Sequence, residues 1–174
     1  PVTASATDGI DASAVAARDA WTALLSVHPS RPIAAVARDS SVTVVDVITL
    51  RPLWSAPLAP EAVAAISFNG DGSDLVVATV DGRLHAFDVT RGGQGPVATW
   101  VSRIGDPRAI APSAEPGRML IGSGDGTARW VDYRLHDVAA ETLRGHDRAL
   151  ARTLVGDDLI VTVRGRLDKR DESR

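Results

Sequence analysis

Three segments of this chain superimpose without a gap: IAAVARDSSVTVVDV (33–47), LVVATVDGRLHAFDV (75–89) and MLIGSGDGTARWVDY (119–133). Each is an apolar run, a tight turn at Asp-Ser or Asp-Gly, and a second run that closes on a hydrophobic residue followed by Asp. The turn aspartates Asp39, Asp81 and Asp125 are 42 and 44 residues apart, and the closing aspartates Asp46, Asp88 and Asp132 keep the same two spacings. A fourth copy, DLIVTVRG (158–165), has Arg164-Gly165 where others have Asp-Gly. One such hairpin cannot bury its own apolar faces, so repetition at this period dictates that the copies stack on one another.

The flanks of each hairpin supply two further strands. A two-residue connection needs positive φ, which Asp-Gly adopts at little cost, so Asp81-Gly82 and Asp125-Gly126 read as hairpin tips. Upstream lies a second turn: His28-Pro29-Ser30, Asn69-Gly70-Asp71-Gly72, Glu115-Pro116-Gly117 and Gly156-Asp157-Asp158. Before it comes another apolar run, WTALLSV (21–27), AVAAISF (62–68) and ALARTLV (149–155), with a poorer version in DPRAIAP, where Pro107 and Pro112 interrupt a short segment. After each closing Asp a fourth run ends near Trp54, Trp100 and Leu143. Four short strands per period of about 40 residues is the pattern of a propeller blade. Runs such as LVVATV are apolar on both parities, as strands covered by neighbours on both faces would be. The expected division is 1–20 as an N-terminal segment or remnant of a preceding blade, blades at 21–60, 61–103 and 104–143, and 144–174 as an incomplete blade with a charged tail.

On AISFNGDGSDLVVATVDGRLHAFDV, GSGDGTARWVDY and TLRGHD, the chain resembles the tryptophan-aspartate (WD40) repeat family, in divergent bacterial-type form. The resemblance covers roughly 21–167 and implies an all-β propeller of four-stranded antiparallel blades, about four of them, as an open arc or part of a larger ring. Family members join a Gly-His histidine, a strand Ser or Thr, the turn Asp and the Trp in a buried hydrogen-bonded set. Here the Trp-Asp positions hold Val45-Asp46, Phe87-Asp88 and Val131-Asp132, and Trp130 stands one place early, facing the opposite neighbour. His146 belongs to the blade whose turn Asp is replaced by Arg164, leaving Thr162, while Ser123 and Asp125 lie in a blade without Gly-His. Packing, more than that polar set, must hold these blades.

Three blades and part of a fourth fall short of the rings that close on themselves. PVTASA (1–6) or DASAVAA (11–17) could supply a closing strand, and Asp8-Gly9 could be the tip of a truncated blade; the expectation is an open arc with an apolar face at each end, completed by more blades of a longer chain or by a second copy.

The 174 residues have a formal net charge of −3, which gives no overall pull toward nucleic acid. Aromatic residues are only 4%, too few for a base-stacking platform. There is no Cys, which removes disulfides and thiol catalysis. No run of 18 apolar residues suggests a membrane span, and the chain reads as soluble and cytoplasmic. Lys169 is the only lysine; with abundant Ala and Val this points to a high-GC bacterial source.

No catalytic, cofactor-binding or metal-ligating residue is assigned. His28, His85, His136 and His146 do not stand at metal spacing, and each reads as structural: a turn residue, a packed or rim strand residue, an exposed loop residue and a Gly-His residue. The six repeated aspartates have the symmetry of turn roles, whereas functional sites break repeat symmetry. Asn69–Asp74 lacks the later Glu of a calcium loop. GSGDG (122–126) lacks a phosphate-binding Lys and leads into a strand, and no serine sits in a Gly-x-Ser-x-Gly elbow. Arg91–Pro96 reads as a contact loop, and Arg164, Arg166, Lys169, Arg170 and Arg174 as a tail diluted by carboxylates. The expected function is a non-catalytic protein-interaction scaffold, the repeat portion of a larger bacterial signalling or regulatory protein. The alternative is a propeller enzyme of lactonase or quinoprotein type with an axial site.

Overall fold

A computed structural model describes the backbone of residues 23–113, 115–144, 150–155 and 160–164, with side chains over 23–113 and 115–137. Each hairpin is set by its turn. Gly82 and Gly126 both take φ 83°, and Asp39, which has only Ser40 after it, takes φ 52° itself. The turn aspartates hold these tips: Asp81 Oδ1 accepts from Thr79 Oγ1 at 2.6 Å and Asp125 Oδ1 accepts from Thr127 N at 2.9 Å.

The strands assemble into meanders in strict chain order. The first blade is β1 (Leu24–Val27), β2 (Ile33–Arg38), β3 (Ser41–Asp46) and β4 (Pro52–Pro57). The second is β5 (Val63–Phe68), β6 (Asp74–Thr79), β7 (Arg83–Asp88) and β8 (Ala98–Val101). The third is β9 (Pro107–Pro112), β10 (Arg118–Ser123), β11 (Thr127–Asp132) and β12 (Asp137–Arg144). Two antiparallel strands of a fourth follow, β13 (Leu150–Val155) and β14 (Ile160–Arg164). β1 lies against β5, β5 against β9 and β9 against β13, so the first strand of each unit lines the inside of an arc. This is an all-β propeller architecture of WD40-like, four-stranded antiparallel blades.

Two elements differ from expectation. DPRAIAP forms a full inner strand despite its prolines, because Pro107 and Pro112 fall at its two ends and the register with β10 slips beside Pro107. The run after Asp46 does not stop near Trp54 but continues as β4 to Pro57, pairing with Ser41.

The core lies between blades. β6 is buried along its whole length. In the second blade the face turned to the first is the bulkier, while the face turned to the third mixes Ala65, Ala78 and Ala86 with Leu84 and Trp100. Ile66, Phe68, Leu75, Val77 and Phe87 of the second blade pack in one cluster with Ala35, Ala37, Val42, Val44 and Ala56 of the first. Ile121, Val131, Met119 and Tyr133 of the third meet Ala65, Ala78, Val76 and Ala86 of the second. Each large side chain so buried contributes on the order of 1.5–3 kcal/mol.

Outside this core an indole fastens the blades. Trp54 on β4 donates through Nε1 to the Val89 carbonyl at 2.9 Å, stacks on Phe87 at 5.7 Å between centroids, and lies over Gly92, where a Cβ would overlap its ring. Gly92→Ala should displace the indole and cost about 1–3 kcal/mol. A urea titration of the variant against the parent checks this, with Gly95→Ala as a poor control because Gly95 has φ 100° and Gly93→Ala as the better one.

Candidate functional site

The repeated aspartates are turn-formers in each described blade. Asp46 Oδ1 accepts from Ile48 N and Thr49 N at 2.9 and 2.7 Å, and Asp132 Oδ1 from Arg134 N and Leu135 N at 3.0 and 2.8 Å. Asp88 Oδ1 takes Thr90 N at 2.8 Å. Donated hydrogen bonds hold the carboxyls of Asp46, Asp81, Asp88 and Asp125 below their usual range; the largest contributions come from Thr49, Thr79, Thr90 and Thr127 respectively. Among the described residues, no three His, Asp or Glu side chains cluster closely enough to hold a metal ion, and no helix is long and apolar enough to cross a membrane.

The histidines do more than the sequence suggested. His28 is buried at the end of β1, where its Nδ1 accepts from Ser30 N and Arg31 N at 3.1 and 3.0 Å. With Nδ1 an acceptor twice over, the proton of the neutral ring sits on Nε2 and is donated to the Gly72 carbonyl of the second blade at 2.9 Å. Burial lowers its pKa; the nearby Arg31 pushes the same way, and the Gly72 bond and Asp71 oppose. His85 is buried between the first two blades with Nδ1 3.0 Å from Thr99 Oγ1, and its Nε2 has no hydrogen-bond partner among the described residues. Burial lowers its pKa as well, against the pull of Glu61, which pairs with Arg83, and of Asp81. His136 is exposed and stacks on Trp100 at 5.5 Å. His146, Thr162's side chain, residues 1–20 and the charged tail lie outside the described residues.

A second polar tie crosses from the second blade to the third, and no sequence motif announced it. Tyr133, buried just past β11, donates to Asp74 Oδ2 at 2.8 Å and accepts from Asn69 Nδ2 at 3.0 Å. Arg134 reaches the same Asp74 oxygen at 2.9 Å. Burial, then the Asp74 carboxylate, push the phenol well above its ordinary pKa, so it stays a donor. The offset was readable: Tyr133 N bonds Gly117 O as Val89 N bonds Ser73 O, so Tyr133 is the third-blade counterpart of Val89.

Among the described residues, one end face remains. Leu25 and Val27 on β1 occupy the places of Ile66 and Phe68 on β5, since both pairs stand opposite corresponding residues of the next strand. Ile66 and Phe68 are buried by the first blade, whereas Leu25 and Val27 are 65% and 66% exposed, and Leu53 on β4, at the opposite edge of the same sheet, is 51% exposed. On the face the third blade turns to the fourth, Trp130, opposite Leu120, stands where the second blade has Ala86 opposite Val76. As its one-place offset predicted, it packs with Leu120 and Ala128 away from the second blade. The Arg118 guanidinium lies 4.8 Å over its ring and pairs with Glu115 at 2.8 Å. Glu115, Arg118, Trp130, Asp132, Leu135 and Asp137 frame a shallow depression of about 230 Å³. The bare face of the first blade, with the depression beside Trp130, is the candidate functional surface among the described residues.

No family model and no curated protein matches the sequence. Solved structures do. The chain is similar to U3-55K, at 19% identity and a TM-score of 0.71 over 82% of this chain and 45% of that one. It is similar also to a chain in the crystal structure of the mitotic checkpoint complex, at 21% identity and a TM-score of 0.62 over 75% and 39%. At such identities the likeness shows the fold. The chain spans less than half the length of either.

Tyr133→Phe should cost about 1–3 kcal/mol in urea unfolding, because it strips Asn69 and Asp74 of a buried partner at once. His28, with its pKa lowered by folding, contributes fully above its ordinary value of about 6.5; stability should fall as pH drops below that and level off past the folded value. His28→Asn should flatten part of that slope in melts across pH 4.5–8, leaving the share due to His85.

Proposed function

We propose that this chain is a non-catalytic protein-interaction scaffold, the propeller portion of a larger bacterial signalling or regulatory protein in the cytoplasm. Its first partners are further blades, and through the completed ring other proteins. The carrying observation is that positions covered in the interior junctions, buried at Ile66 and Phe68 and half-buried at Ile110, are laid bare in the first blade at Leu25 and Val27. An apolar sheet face of this kind is an interface awaiting its partner. Two further points support the reading. The polar residues that repeat are consumed in turns, and one protein of similar fold is part of the mitotic checkpoint complex. The signalling context rests on the resemblance to bacterial repeats and the Arg-rich, Ala- and Val-rich composition.

Static light scattering tests it. The 174-residue chain should show a mass that climbs with concentration, and Leu25→Asp with Val27→Asp should return it to the monomer mass while its β-sheet circular dichroism persists. A parent chain that stays a monomer at every concentration, melts cooperatively and binds no hydrophobic dye would sink the reading.

A further inference from the structure

The first two of the three junctions carry an aromatic clasp, and the third, whose outermost strand β12 has no Phe, Trp or Tyr, does not. An indole from the outermost strand of one blade seats on the turn that follows the third strand of the next: Trp54 on Val89 and Gly92, and Trp100 on His136. The first blade owns the same receiving turn, with nothing upstream of it among the described residues. Val47 N bonds Pro32 O at 2.9 Å as Tyr133 N bonds Gly117 O at 3.0 Å. Asp46 and Asp132 fold the two turns through matching pairs of backbone hydrogen bonds. Each turn ends on a left-handed residue, Leu50 at φ 57° and His136 at φ 56°. Leu50 thus stands where His136 stands under Trp100; both are exposed, and Leu50, at 79%, has no ring over it among the described residues. A left-handed leucine costs about 1–2 kcal/mol, so the turn is specified strongly enough to override its own residue preference.

We propose that the Val47–Leu50 turn is the receiving half of a third clasp, and that its occupant is the outermost strand of a further propeller blade carrying an aromatic side chain. This rests on the scaffold reading and narrows its partner. A second copy of the chain fits less well. Trp54 and Trp100 are engaged within the chain, Trp21 precedes a first strand, Trp130 lies on a third, and neither β12 nor the sequence after it contains Trp, Phe or Tyr. Docking through Leu25, Val27 and Leu53 would bring the incoming outer strand alongside β4 and its indole over Leu50, continuing the interface the interior blades share.

The absence of cysteine makes a clean reporter. Leu50→Cys is placed in the full chain, and in a full chain with a duplicate of residues 23–62 inserted between Thr22 and Ala23, so that the duplicate's Trp54 faces the reporter. At concentrations where scattering reads a monomer, the thiol of the plain chain should react with a small disulfide reagent at the rate of a free thiol. The duplication should slow it about tenfold or more, and changing the duplicate's Trp54→Ala should restore most of the rate. Unchanged labelling with an intact, protease-resistant duplicate overturns the clasp while leaving the end face as an interface. Rapid proteolytic loss of the duplicate overturns the end face and the clasp together. A reporter already slow in the plain chain overturns the proposed occupant, in favour of the chain's own first residues if it is monomeric or of a second copy if protection rises with concentration.

Discussion

None of these sheets has a core of its own. Four strands of four to eight residues bury apolar surface only where a neighbouring sheet lies across them, and β6, buried on both faces, is possible only because there is a neighbour on each side. Stability is therefore distributed over junctions instead of blades. Every other feature follows: side chains are selected in pairs across a junction, polar ties cross it, and the ends of the array are where the pairing stops.

The junctions are alike in plan and different in chemistry. Where the second blade begins β6 with Asp74, the third blade answers with Tyr133 and Arg134. Where the first blade begins β2 with Ile33, the second answers with Val89, and the two share one apolar cluster. His28 spans the first junction through a backbone carbonyl and has no histidine counterpart at the second. These differences act as local keys. A blade set into the wrong slot would face a carboxylate with a valine or a phenol with an isoleucine, so register along the array is written in a handful of buried polar atoms.

Much of the fold was legible because it depends on local chemistry. Asp81-Gly82 and Asp125-Gly126 predict hairpin tips from φ alone, and the closing aspartates cap their turns as repetition implied. Trp130's offset by one residue correctly placed it on the far face. The misses share a cause. His28 reads as a turn residue because its partner, Gly72, is 44 residues away, and Tyr133 reads as one more strand-end aromatic because Asn69 and Asp74 belong to another sheet. A contact that exists only once two blades are laid together leaves no periodic trace. The exposed end face was legible as an expectation, since a repeat that needs neighbours must lack one somewhere, but Leu50's place in the series emerged only when three turns could be overlaid by their hydrogen bonds.

The two faces of a blade carry different residues, and the difference gives the array a direction. A leading face meets a trailing face at each junction, so a two-fold pairing of like ends would reproduce none of the interior contacts. Any growth through the ends is heterologous, head to tail, and such growth stops only when the angle between units brings the first back to the last. A chain of this design is polar in the sense that a filament is polar, and the closed ring is the filament that happens to meet itself.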